Sequence, residues 1–212
     1  MAARRPAAER AVRPQAQTAE KRRRILDAAL TVFGKHGYNK ASLVDIAELA
    51  GMTHAGVLHH FGSKDRLLVA VLEHRDAVDV AGLEGQHVPT GKEMLEHLLN
   101  TIRLNMERAG LVQAYAVLSA ESVTEGHPAQ SFFRDRFAGL RGMVVDGYRA
   151  VAPAGTPASR LEIAATATIA VMDGLQVQWL LDPEVPMPEV AEATIAGLVD
   201  WLAQGQQGDR GE

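Results

Sequence analysis

Between Ser42 and Phe61 the chain carries two apolar stripes of only a few helical turns, separated by Ala50-Gly51-Met52. Leu43, Ile46, Ala47 and Ala50 make the first stripe, and Val57 and Phe61 make the second. Ser42 and Asp45 have the S-x-x-[DE] spacing of a capping box, Thr53 can cap the second helix, and Gly51 and Gly62 are natural stops. Isolated helices this short do not hold together in water. Each must be held by the helix before it and the helix after it, which dictates a compact bundle of three or four helices. Two short helices across a tight turn with glycine are the layout of a helix-turn-helix.

The flanks supply those helices. Thr18 is a suitable N-cap with Glu20 in the first turn, and Ile25, Ala28, Ala29, Val32 and Phe33 fall on one face before Gly37 stops the run. From Ser63 a longer helix is predicted through Leu67, Leu68, Val71 and Leu72 to about Ala81. Further helices are predicted near 91–109, 111–123, 130–151, 158–181 and 187–204, parted by "EGHP", "APAGTP" and "DPEVPMP". No stretch alternates as a strand would, and there is no internal repeat. Residues 1–17, rich in Ala, Arg, Pro and Gln, read as a flexible basic arm, and 207–212 as a disordered tail. The fold class expected is all-α: residues 18–75 as the small bundle, 76–206 as a larger helical domain.

Composition removes several function classes. Without cysteine there is no disulfide framework, thiolate metal site or cysteine nucleophile. The richest apolar segment is broken by Asp173, Gln176 and Gln178, short of a membrane span, and the basic N-terminus has no apolar core of a secretory signal. A cytoplasmic location is the expectation. Residues 1–75 carry 13 Lys and Arg against 7 Asp and Glu, whereas the remainder carries 9 against 19. A basic first third on an acidic body suggests that one end meets a polyanion.

The stretch "AGMTHAGVLHHFGSKD" concentrates three histidines. His54 lies five and six residues before His59 and His60, about 500° and 600° of helical rotation, so the three diverge and do not form a metal site. A general base needs an orienting partner and a pocket, and neither is offered; no nucleophile motif such as G-x-S-x-G is present, so no enzyme and no cofactor are expected. With Val57 and Phe61 turned inward, His54, Leu58 and His59 point outward, as the base-reading side chains of a helix-turn-helix do. His54, Gly56 and His59 are the candidates for base-edge readout, and Leu58 for a thymine methyl. Ser42, Thr53 and Lys64 are the candidates for phosphate. Lys21, Arg22, Arg23 and Arg24 could add backbone contacts or be a solvated basic run, and His60 is as readily a hydrogen-bonded core histidine.

From Thr18 to Arg75 the chain resembles the DNA-binding domain of the TetR/AcrR family of bacterial transcriptional regulators. The match runs through Phe33, Gly37, Ile46, Ala47, Ala50, Gly51, His60, Phe61, Ser63, Lys64 and Leu67. Ser42 stands where the family usually has Thr, Leu58 where a phosphate-contacting Tyr is common, and His59 where an aromatic is frequent. The resemblance implies a homodimer on a palindromic duplex operator, a ligand-binding and dimerisation domain over 76–206, and a small-molecule effector that shifts the two reading heads apart. Repression is the family's commoner mode. Ligand-dependent activation is the alternative, and an adaptor or ligand-binding protein retaining the helix-turn-helix as scaffold is a more distant one.

The segment 159–181 is apolar on nearly all sides, with Leu161, Ile163, Ile169, Val171, Met172, Leu175, Val177 and Trp179, and must be covered all round. Val190, Ile195, Leu198, Val199 and Leu202 follow in the last helix. So much apolar surface suggests a partner, and the resemblance implies that these two helices pair with their copies in a four-helix interface; the alternative is burial in the monomer's own core. Candidates for a ligand pocket, by residue type, are Met94, His97, Tyr115, Phe133, Met143 and Trp179, all equally compatible with plain core packing.

Overall fold

The computed structural model describes residues 7–81 and 89–204, with side chains from 17 to 76 and from 89 to 204. The described residues form nine α-helices and no strand: α1 Ala7–Lys40, α2 Leu43–Ala50, α3 His54–Phe61, α4 Lys64–Ala81, α5 Lys92–Asn105, α6 Ala109–Glu121, α7 Gln130–Val151, α8 Ala158–Leu181 and α9 Met187–Gln204. The all-α reading holds, and the last three helices begin and end within a residue of their expected bounds.

One boundary is corrected. Helical order begins at Ala7 rather than near Thr18. Ala, Glu, Arg and Gln are strong helix formers that extend a helix already nucleated over its buried stretch, against the cost of Pro14 in its interior. Residues 1–6 and the tail 207–212 lie outside the described residues.

Ser42 and Thr53 cap as expected: Ser42 Oγ accepts from the Val44 amide at 3.1 Å, and Thr53 Oγ1 accepts from the Gly56 amide at 3.1 Å. Ser63 does the same for α4, accepting from the Arg66 amide. At Gly37 the backbone of α1 leaves helical geometry with φ of 70°. The amide that follows, on Tyr38, donates to Glu121 Oε2 at 2.6 Å, so a carboxylate at the end of α6 satisfies the broken turn. Three residues earlier, a Cβ on Gly34 would stand 3.0–3.2 Å from the Cβ and backbone of Ala114. The pair of small residues lets α1 and α6 cross almost backbone to backbone.

Two apolar cores result. Ile25, Ala29 and Phe33 of α1, Ile46, Val57 and Phe61 of the short helices, and Leu67, Leu68 and Leu72 of α4 are buried together, and Tyr115, Leu118 and Phe133 from α6 and α7 join the same cluster. Fully burying one such side chain contributes about 1.5–3 kcal/mol. This is what holds α2 and α3, and it also ties the small bundle to the rest of the chain. The second core gathers Met94, Leu98, Ile102, Tyr148, Leu161, Trp179, Ile195 and Leu202 from α5, α7, α8 and α9. No helix of the described residues is long and apolar enough to cross a membrane.

Candidate nucleic-acid interface and effector cavity

The short helices are pinned at their C-terminal ends by arginines of α1. Arg24 Nη2 donates to the Ala50 carbonyl at 2.6 Å, at the end of α2. Arg22 Nη1 donates to the His60 carbonyl at 3.4 Å, and its guanidinium lies 4.3 Å from the centre of the Phe61 ring. A cation at the negative end of a helix is favourable, and here two of them fix the angle between α2 and α3. Arg23 pairs with Glu20 instead. All four basic residues offered as backbone contacts are exposed, and Arg22, Arg23 and Arg24 also hold partners within the protein.

The orientation of α3 follows from its two anchors. Val57 and Phe61 are buried, and His54 and His59 are exposed, with Gly56, Leu58 and His60 half-buried. The imidazoles of His59 and His60 stand edge to face at 5.7 Å. Burial lowers the pKa of His60, and the neighbouring charges of His59, Lys21 and Arg22 push it the same way. Ser42 and Thr53 each spend an oxygen lone pair on a cap, which leaves the hydroxyl proton to donate outward. The two hydroxyls and the two exposed histidines belong to neighbouring helix starts and one exposed helix face. A solvated surface helix would place these residues the same way; what singles them out is their position in a helix-turn-helix.

Lys64 is less free than a point charge on a helix start. Its ammonium donates to the Asn39 carbonyl at 3.3 Å and lies 4.5 Å from the centre of the Tyr38 ring, and burial lowers its pKa while Asp65 and Glu121 raise it. The Tyr38 hydroxyl donates to Asp65, and with burial this raises the phenol to about 12. His127 closes the cluster, its ring against Tyr38 at 5.1 Å.

A cavity of about 260 Å³ lies between α4, α5, α6, α7 and α8. Met94, Leu98, Leu140, Met143, Ile169 and Met172 give it apolar walls. Its polar wall is a charge cluster. Asp76 on α4 accepts from Arg136 Nη1 of α7 at 2.6 Å and from Arg75 Nη1 at 3.2 Å. Both guanidiniums lie near the Tyr115 ring, Arg75 at 4.2 Å and Arg136 at 5.3 Å from its centre, and the Tyr115 hydroxyl accepts from Arg136 Nε at 3.2 Å. Asp173 faces the same space without an ion pair among the described residues; burial pushes its carboxyl up to about 6, against the pull of Arg136 and Arg75.

Of the six pocket candidates, Met94, His97, Tyr115 and Met143 line this cavity. Phe133 and Trp179 do not, which corrects the expectation. Phe133 packs edge-on to Tyr115 at 5.3 Å inside the first core, and Trp179 is buried in the second. An aromatic at helical spacing gives no sign of which side of a wall it stands on. Arg75, Asp76, Asn105, Arg136, Asp173 and Gln176 were not anticipated. For Asp173 a signal existed: it is the lone charge between Glu162 and Asp182 in an apolar helix. The others come from helix faces that also carry ordinary surface charge.

Residues 25–71 match the family model described as bacterial regulatory proteins, tetR family, and residues 92–204 match that of the BetI-type transcriptional repressor, C-terminal. The transcriptional regulator SrpR of Pseudomonas putida is 34% identical over 124 residues, which span 50% of this chain and 57% of that protein. TtgR, also a transcriptional regulator of Pseudomonas putida, is 28% identical over 183 residues, 81% of this chain and 86% of that one. Among solved structures, NalD of Pseudomonas aeruginosa, a repressor of a multidrug efflux pump, superposes with a TM-score of 0.64 at 21% identity, covering 88% of this chain and 98% of its own. The exposed face of α3, the capped helix starts around it and these matches over both parts of the chain agree: it belongs to the TetR family, as a helix-turn-helix DNA-binding regulator of transcription.

Proposed function

We propose that the protein is a repressor that holds a palindromic operator as a homodimer and releases it when a small molecule fills the cavity. The observation that carries this reading is Asp76: it sits on α4, which leads directly from the helix-turn-helix, and it is held by Arg136 on the cavity wall. A ligand that disturbs that pair acts on the helix that carries the reading head. The family model over 92–204 is one of repressors, and NalD is a repressor, which favours repression over activation.

On DNA, His54, Gly56 and His59 face base edges and Leu58 a thymine methyl, while Ser42, Thr53 and Lys64 take phosphates. Dimerisation uses α8 and α9. Ile163, Ala170, Gly174, Val177 and Leu181 fall on one side of α8, where Ile163 is 55%, Val177 47% and Leu181 83% exposed. Val190, Ala193 and Gly197 form an exposed stripe on α9. Small residues between larger apolar ones let two such helix pairs approach closely. Exposed apolar surface of this kind is what a subunit interface covers.

Selection of bound duplexes from a random pool, followed by titration against salt, tests the reading. The expected result is a palindrome whose affinity falls steeply with salt, and Lys64→Ala lowering that salt slope by about one unit. No enriched sequence, or a monomer by light scattering, overturns it.

A further inference from the structure

The ligand's chemistry follows from groups on the cavity wall that the protein leaves unused. Asn105 is fully buried, its Oδ1 accepts from Arg108 Nη2 at 3.2 Å, and its Nδ2 has no hydrogen-bond partner. That bond to Arg108 fixes which way round the amide stands, so the unused atom is a donor. Asp173 is the opposite case, an acceptor without an ion pair or hydrogen bond among the described residues. A buried polar group left unsatisfied is costly, and Asn105 Nδ2 is such a group. It and the half-buried Asp173 carboxylate line the same cavity.

The charges decide what completes them. Arg75 and Arg136 are matched by Asp76 and Asp173, so these four charges on the wall cancel. Both guanidiniums already share Asp76, and they act on Asp173 through space. An anion entering the cavity would compete with Asp76 for the two guanidiniums and would also meet Asp173. A cation would meet Asp173 but also the field of two guanidiniums. Either would leave a net charge in a poorly solvated site, where the loss of hydration outweighs an imperfect pair. An uncharged molecule avoids that cost and can still hydrogen-bond both Asn105 Nδ2 and Asp173.

We propose that the cavity takes an uncharged, mostly apolar molecule of one or two rings bearing a hydroxyl and a separate acceptor oxygen, the hydroxyl donating to Asp173 and the acceptor taking the Asn105 Nδ2 hydrogen. The size follows from the cavity volume of about 260 Å³, since a dry cavity of roughly 150 Å³ accepts benzene. The apolar walls, with Met94, Met143 and Met172 among them, adapt to rings through soft sulfur contacts. This deepens the effector reading above and rests on it only in assigning the cavity to an effector.

Four benzophenones that differ in one 4-substituent test it on the full-length protein without DNA, by calorimetry: 4-methyl, 4-hydroxymethyl, 4-aminomethyl and 4-carboxylate. The hydroxymethyl compound is expected to bind at least about tenfold tighter than the methyl compound, the gain typical of a hydrogen bond to a charged acceptor. It is also expected to outbind both charged compounds. In Asp173→Leu the advantage of hydroxymethyl over methyl disappears, and in Asn105→Leu all four weaken together. Tightest binding by the aminomethyl or carboxylate compound, equal binding of methyl and hydroxymethyl, or no binding of any of the four overturns the proposal. Release of the selected operator is measured separately by anisotropy. The expected ranking of binding without release would sustain the ligand class and sink the effector reading; release by another class of molecule, with none of these four bound, would do the reverse.

Discussion

The reading head and the cavity handle polar groups in opposite ways. On α3 the side chains proposed to read DNA, His54 and His59, stand in solvent on the far side of a helix whose inner face is Val57 and Phe61. Their hydration costs the fold nothing, and the fold depends on other residues altogether. In the body, Arg75, Asp76, Arg136 and Asp173 are drawn from three helices into a poorly solvated space. There the charges that would meet an effector are also part of the structure. Surface function is separable from stability, and interior function is not.

The largest test of that contrast is Asp76→Ala. It leaves two guanidiniums on the cavity wall without their shared carboxylate, and unfolding by denaturant should show a loss of about 3 kcal/mol, the usual result of breaking one side of a buried pair. A loss under about 1 kcal/mol, the usual worth of an exposed pair, would mean that the cluster is solvated and the contrast overdrawn. Next is His59→Ala, which should cost roughly 1–3 kcal/mol on the selected operator while barely changing stability. Equal losses on operator and random duplex would make His59 a backbone contact.

Asp173→Asn should move stability the other way. The folded carboxyl, at about 6, lies above its ordinary value of 3.8, so ionisation is easier in the unfolded chain. The penalty is therefore absent below about pH 4, grows as pH rises between the two values, and is complete above about 6. At pH 7 the variant should gain on the order of 1–3 kcal/mol, and at about pH 3.5 nothing. The groups facing Asp173 are Arg75, Asp76, His97, Tyr115 and Arg136, and the gain is read as a difference from the wild-type protein at each pH. A gain that persists at the acidic end would point to packing rather than charge. The smallest effect is that of Thr53→Ala: losing the cap of α3 should cost about 1 kcal/mol of stability. Its operator affinity should fall more than its stability if the hydroxyl also meets a phosphate, which a titration at matched stability would reveal.

The helix-turn-helix was legible because its rules are local. Hydroxyl caps at Ser42 and Thr53, the glycine stop at Gly51 and the buried pair Val57 and Phe61 are all specified within a few residues of where they act. The pinning arginines were visible as a basic run, exposed as a solvated run would be, but their bonds to the ends of α2 and α3 were not. What Arg22 and Arg24 touch lies 38 and 26 residues away. The cavity was the least legible. Its candidates were chosen by size and aromaticity, which do not separate Tyr115, at the wall, from Phe133, packed behind it.

By itself the sequence determined nine helical segments, their order, and which face of each short helix is apolar, because side-chain periodicity and end caps act over one or two turns. Only the tertiary structure decided that α6 and α7 complete the core of the small bundle, that Glu121 closes the break at Gly37, and that Arg75, Asp76, Arg136 and Asp173 share one wall. Those juxtapositions depend on how helices cross, and the crossing is set by the summed fit of distant surfaces such as Gly34 against Ala114. No single segment of the chain carries that information.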